Sequence, residues 1–266
     1  MNRLTMLAVT LMASMACFAQ GKSVTTIGGG MAVDSIFDYM ELKYKVLENA
    51  TGYTVEVIGF ADAFVADPSQ FDKAEEGVEI KTHNTVTISH IIGESDKVQV
   101  KTYIARVADG ALNTDNATLA AKVTALEIDY SDDIMATVPV IIGENAFAAL
   151  TSLKTIKSLT PGAKVAAIPD NAFATAVYRK TLIVPEEKMG KYNVTDGWKN
   201  FKTIKSTSGL ILGNANGDSR VTTADYNAMY DLLFNTPRPV PAYIDLNGDG
   251  RLTTADYNAM YDLLMR

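Results

Sequence analysis

The letters TTADYNAMYDLL occur twice in this chain, at residues 222–233 and 253–264, and each copy sits at the end of an acidic, glycine-containing loop. The two loops are NANGDSRVTTAD (214–225) and DLNGDGRLTTAD (245–256); the second begins 31 residues after the first and aligns with it without a gap. Each places oxygen-bearing side chains at loop positions 1, 3, 5, 9 and 12. Calcium is a hard cation that takes roughly six to eight oxygen ligands, and a twelve-residue loop supplies them from those positions and from a backbone carbonyl at position 7. In the second loop that set is Asp245, Asn247, Asp249, the Arg251 carbonyl, Thr253 (directly or through water) and Asp256. In the first it is Asn214, Asn216, Asp218, the Arg220 carbonyl, Thr222 and Asp225. One such stretch is also what a polar surface turn looks like; two in register point to a cation. The first loop has Asn214 where the second has Asp245, and Ser219 where the second has Gly250, the position of the sharp turn. It is therefore expected to hold calcium more weakly.

After each loop the sequence has helical periodicity. Ala224, Ala228, Met229, Leu232 and Leu233 form one apolar stripe, and the second copy repeats it. Two short helices of this kind need to bury their stripes against each other to be stable. Between them NTPRPVPAY (235–243) carries Pro237, Pro239 and Pro241, which forbid a continuous helix.

No helical pattern precedes either loop. A duplicated calcium loop followed only by its exiting helix, over residues 213–266, resembles a type I dockerin. The resemblance implies a calcium-dependent module that plugs into a cohesin-type domain on a scaffold, with two Ca2+ sites. It implies partner contacts at loop positions 10 and 11, here Thr223 and Ala224, Thr254 and Ala255. The near-identity of the copies implies two-fold pseudosymmetry, so that either helix is able to face the partner.

Met1 to Ala19 carries one early cation, Arg3, followed by an apolar run that ends in small residues. That is the pattern of a secretory signal peptide cut before Gln20, with lipid attachment at Cys17 as a competing reading. Cutting there removes the one cysteine and takes the formal charge from −7 to −8, leaving an acidic chain without disulfides. A nucleic-acid partner is not expected, because such binding rests on basic patches. No second long apolar segment suggests a membrane span.

Residues 20–205 read as β-rich, with period-two alternation clearest in YTVEVIGF (53–60), VEIKTHNTVTISHII (78–92) and KVQVKTYIARV (97–107). IGENAFAALTSLKTI (142–156) and IPDNAFATA (168–176) repeat a short unit. Its Ile142, Ala146, Phe147, Leu150, Leu153 and Ile156 are expected in a core, with Phe173 repeating Phe147. These units resemble BspA-like leucine-rich repeats of secreted bacterial surface proteins. The stretch 181–204, with Leu182, Val184, Pro185, Tyr192, Trp198, Phe201 and Ile204, resembles the C-terminal end of their coils. The expected fold is thus a β-rich leucine-rich-repeat solenoid, clearest over 140–205, joined through a linker at 206–212 to a small all-α module of two calcium loop–helix repeats.

Nothing in the sequence composes a catalytic group. His83 and His90 lie seven apart, on opposite faces of a straight strand. Gly28 to Gly30 lacks the lysine of a phosphate loop, and Asp132–Asp133 and Glu186–Glu187 read as surface charge. The expected function is non-enzymatic: a secreted or surface protein whose solenoid binds a protein or glycan and whose dockerin attaches it. Two readings compete. The dockerin delivers a polysaccharide-degrading enzyme or an inhibitor, or the module packs on the solenoid as a calcium-dependent cap.

Overall fold

The structure is a computed structural model that describes residues 32–39, 41–48, 53–69, 85–89, 102–129, 140–159, 165–235 and 239–266. The expected signal segment, Cys17, Gly28 to Gly30, His83, His90, Asp132, Asp133 and Pro237 lie outside the described residues.

The strands are β1 (Ile36–Tyr39), β2 (Leu42–Glu48), β3 (Tyr53–Phe60), β4 (Thr85–Ser89), β5 (Thr102–Val107), β6 (Ala125–Asp129), β7 (Ile141–Ile142), β8 (Thr155–Leu159), β9 (Thr181–Val184) and β10 (Thr203–Ser206). The helices are α1 (Asp62–Ala66), α2 (Ala117–Lys122), α3 (Met189–Val194), α4 (Thr223–Phe234) and α5 (Thr254–Leu264). Period-two alternation makes these strands one-sided. In β9, Leu182 and Val184 are buried while Thr181 and Ile183 face outward, and β8 and β10 alternate the same way.

Two sheets result. One has the order β1-β2-β3-β5-β7 and is mixed: β1, β2 and β3 pair antiparallel, then β3, β5 and β7 pair parallel. The other, β10-β9-β8-β6-β4, is parallel throughout. From β3 to β8 successive strands alternate between the two sheets. Their inward residues share one connected core, which extends into the C-terminal helices through Met229, Met260 and Leu263.

The expected leucine-rich solenoid is overturned: the architecture is α/β, one mixed sheet and one parallel sheet with short helices between strands. The apolar pattern identified inward side chains correctly, since Ile142, Ala146, Phe147, Leu150, Leu153 and Ile156 are buried. Phe147 and Phe173 bridge and stack at 4.9 Å. What the pattern could not give is strand pairing. The first repeat supplies only the two-residue β7 before β8, and the second, 168–176, supplies turns rather than a strand. The antiparallel β1–β3 segment follows no repeat at all. Trp198 is buried, with its indole N–H donated to the Ala166 carbonyl at 2.9 Å.

Candidate metal centre

Each candidate loop runs directly into its helix, and the same two residues accomplish the turn in both copies. Thr222 and Thr253 are the N-caps of α4 and α5; each hydroxyl accepts a hydrogen bond from the backbone N–H two residues on. Asp225 and Asp256, three residues into the turn, return the bond to the cap backbone, closing a capping box. These are also the position-12 residues of the loops, and both are fully buried.

The position-12 carboxylate also gathers the start of the loop. Asp256 accepts Asn247 N–H through Oδ1 at 3.2 Å and Thr253 N–H through Oδ2 at 2.9 Å. Asp225 does the same with Asn216 and Thr222 at 3.1 and 2.8 Å. Positions 1, 3 and 5 form a second knot. Asp249 N–H donates to Asp245 Oδ1 and to Asn247 Oδ1, and Gly250 N–H donates to Asp245 Oδ2 at 2.8 Å. In the first loop Asn214 accepts only the Gly217 N–H, at 3.0 Å. The structure therefore joins the expected oxygen donors of positions 1, 3, 5, 9 and 12 into one bonded set in the second loop, and those of positions 3, 5, 9 and 12 in the first, where Asn214 is tied to Gly217 instead.

Loop positions 4 and 6 are left-handed in both copies: Gly217 at φ 78° and Ser219 at 74°, Gly248 at 68° and Gly250 at 80°. Ser219 is the one side chain of the four held in that region, at a cost of about 1 kcal/mol that glycine avoids. We expect Ser219→Gly to raise stability by roughly 0.5 kcal/mol once the looser unfolded chain is counted, and Gly250→Ser to lower it by a similar amount. No atom lies within 4 Å of a Cβ at Gly250, so the second change carries no steric contribution. Chemical denaturation of the two variants in chelator checks both signs.

The donor chemistry fits a hard cation. Burial pushes the Asp245 carboxyl up from its ordinary range and the charge of Asp256 adds to this, while N–H bonds from Gly250 and Asp249 oppose it. Two carboxylates held this close in a partly dry site are relieved by a positive ion. A carboxylate has about four lone-pair sites, and the bonds to Asp256 leave some of them free. Among the described residues no three His, Cys, Asp or Glu side chains form a metal-holding group. The donor set is a mixed one instead, with Asn amides, a Thr hydroxyl and a backbone carbonyl beside the carboxylates, which suits calcium rather than a transition metal.

Compared with protein families, curated proteins and solved structures, the chain matches none of them. The reading of the loops therefore rests on their own geometry.

The two helices pack on each other through equivalent residues. Tyr226 and Tyr257, equivalent in the repeat, stack with ring centroids 4.1 Å apart, and the equivalent Met229 and Met260 are both fully buried. Of the expected stripe, Ala224 is exposed instead. The hydrogen bond with Tyr226, followed by burial, pushes the Tyr257 phenol up to about 12. A phenol raised in the folded state contributes stability below its ordinary pKa near 10, and that contribution is lost as pH rises through about 12. Tyr226→Phe is expected to return Tyr257 toward the ordinary value, read by ultraviolet titration of phenolate.

Positions 10 and 11 of both loops, Thr223, Ala224, Thr254 and Ala255, are exposed. The second loop has a contact that the first lacks. It lies on α3 so closely that a Cβ at Gly190 would stand 2.2 Å from the Asp245 carbonyl oxygen and 2.4 Å from Gly248 N. Buried Asn193 donates to the Leu246 carbonyl at 2.9 Å, and Arg266 donates to Asn193 Oδ1 at 2.8 Å and to the Asn193 carbonyl at 3.2 Å. Burial lowers the Arg266 pKa, with Asp262 opposing. Sequence reasoning missed Gly190, Asn193 and Arg266, because no local pattern marks a contact between residues 53 and 73 positions apart.

Proposed function

We propose that this is a non-enzymatic binding protein acting outside the cytoplasm, whose C-terminal loop–helix pair is a dockerin-like module that attaches it, when calcium is bound, to a cohesin-type partner. The observation that carries the proposal is the duplicated loop geometry: left-handed turns at positions 4 and 6 and a buried position-12 carboxylate in both copies. The residues that would hold the ions are Asn214, Asn216, Asp218, Arg220, Thr222 and Asp225 in the first loop. In the second they are Asp245, Asn247, Asp249, Arg251, Thr253 and Asp256. Calcium there would supply cross-linking, tying the start of each loop to the start of its helix and so fixing the exposed Thr and Ala pairs that a partner would read. The two-sheet body is the half that would carry a further ligand. A signal peptide over residues 1–19 would place the protein in the secreted or surface compartment.

A second reading has its own observation. The Asn193–Arg266 latch favours the module acting as a calcium-stabilised cap on the body. The latch engages the start of the second loop and the end of α5, and leaves positions 10 and 11 exposed, so capping and docking use different surfaces.

Calorimetric titration of the full chain with calcium, with a thermal melt before and after chelation, tests the metal reading. Two sites of unequal affinity and a melt lowered by chelator are expected. No heat and an unchanged melt would reduce the repeat to two polar turns. Calcium binding without capture of any cohesin domain from a representative set would leave the cap and overturn the docking.

A further inference from the structure

The first calcium loop does not stand free. With the ends of β9 and β10 it encloses a groove of about 490 Å³, floored by Ile211, Leu212, Leu263 and Leu264. Three cations line this groove: Lys205 from β10, Lys202 just before it, and Arg220 from the loop. None of the three has a carboxylate within salt-bridge distance among the described residues, whereas Lys43, Lys45, Arg106, Lys157 and Lys199 each do. In a chain of net charge −7, three cations without an ion-pair partner among the described residues thus line one concave surface. Thr181, Thr203 and Ser219 add hydroxyls to the same lining.

We propose that this groove binds a short oligosaccharide bearing carboxylates. The cations reach the groove from two walls, Lys202 and Lys205 from the body and Arg220 from the loop. A ligand with carboxylates along its length meets both walls at once. Arg220 presents a planar fork suited to a carboxylate, and the hydroxyls of the lining match the hydroxyls of a sugar. An extended acidic peptide is disfavoured because the outer edge of β10 is already covered. Ser206 N–H donates to the Leu210 carbonyl at 2.8 Å, Leu212 N–H donates to the Ile204 carbonyl at 3.0 Å, and Lys205 bridges Ile211. No free strand edge remains there for a peptide backbone to join. The site deepens the reading of the body as a binding half but owes nothing to the metal loops being loaded, since the groove is formed in the structure as it stands.

The test is titration of the full chain with trigalacturonate, followed by amide chemical shifts and calorimetry, against maltotriose and triglutamate as neutral-sugar and acidic-peptide controls. All titrations run in chelator, so that calcium cannot bridge probe and protein and the outcome is separate from that of the calcium experiment. We expect trigalacturonate to bind, to weaken with added salt, and to lose about tenfold in affinity or more in the Lys202→Gln/Lys205→Gln variant while the melt is unchanged. A single Lys202→Gln variant, outside the strand, gives a smaller loss in the same direction should the double variant fold poorly. No shifts at probe concentrations on the order of 10 mM, far weaker than any specific site, would overturn the proposal. So would equal binding of maltotriose, unchanged affinity in the variants, or tighter binding of triglutamate.

Discussion

Replacing Gly190 by Ala is expected to destabilise the protein, although the substitution improves helix propensity by about 1 kcal/mol. A methyl group there would stand 2.2 Å from the Asp245 carbonyl oxygen, 2.4 Å from Gly248 N and 2.7 Å from Gly248 Cα. All three are backbone atoms, which cannot rotate away as a side chain would. The second loop must lift from α3, at an overpacking cost of about 1–3 kcal/mol. Lifting also parts the Asn193 amide from the Leu246 carbonyl, leaving a buried donor orphaned at about 1–3 kcal/mol. The net expectation is a loss of about 3 kcal/mol, a fall in melting temperature of roughly 10 °C. The sign decides the matter. If Gly190→Ala raises the melting temperature, helix propensity acts alone and the loop is not seated on α3 in solution.

Asp256→Asn is expected to cost about 2–3 kcal/mol in chelator and to remove the stronger calcium site. The carboxylate accepts on both oxygens, from Asn247 N–H and from Thr253 N–H and hydroxyl. An amide keeps one acceptor and turns its NH2 toward a backbone N–H, so a fully buried position must hold two donors face to face. A calcium affinity about a hundredfold weaker at that loop, near 2.7 kcal/mol, should accompany the loss of fold stability. Asp225→Asn should do the same to the first loop only. Calorimetry reads the two sites separately, and two unaltered sites in Asp256→Asn would remove position 12 from the ligand set.

The two loops were legible because their information is local. Oxygen-bearing residues within twelve consecutive positions, a capping threonine and an acidic partner three residues on are all written in one short stretch of chain, and the second copy repeats them. The left-handed turns at Gly217, Gly248 and Gly250 follow from residue type in the same way, and Ser219 marks the loop where residue type and conformation disagree. Strand 53–60 followed from alternation, and the buried side of residues 142–156 from the repeated apolar unit.

The solenoid expectation failed where the information ceases to be local. Alternation says which side chains turn inward, but an inward leucine is equally buried in a parallel or an antiparallel pair, so the pairing of β1 with β2 and the division of strands between two sheets are not contained in the pattern. The same holds for the contacts that place the loops. The sequence by itself determined two acidic, glycine-containing loops, each running into a capped helix, and an alternating body before them. Only the tertiary structure decided that the second loop rests on Gly190, that Asn193 and Arg266 latch it there, and that the first loop walls a cationic groove against β10. These contacts join residues far apart in the chain. They exist because burying shared apolar surface brings distant elements together, and backbone groups at such a junction then require partners that no short stretch of sequence can specify.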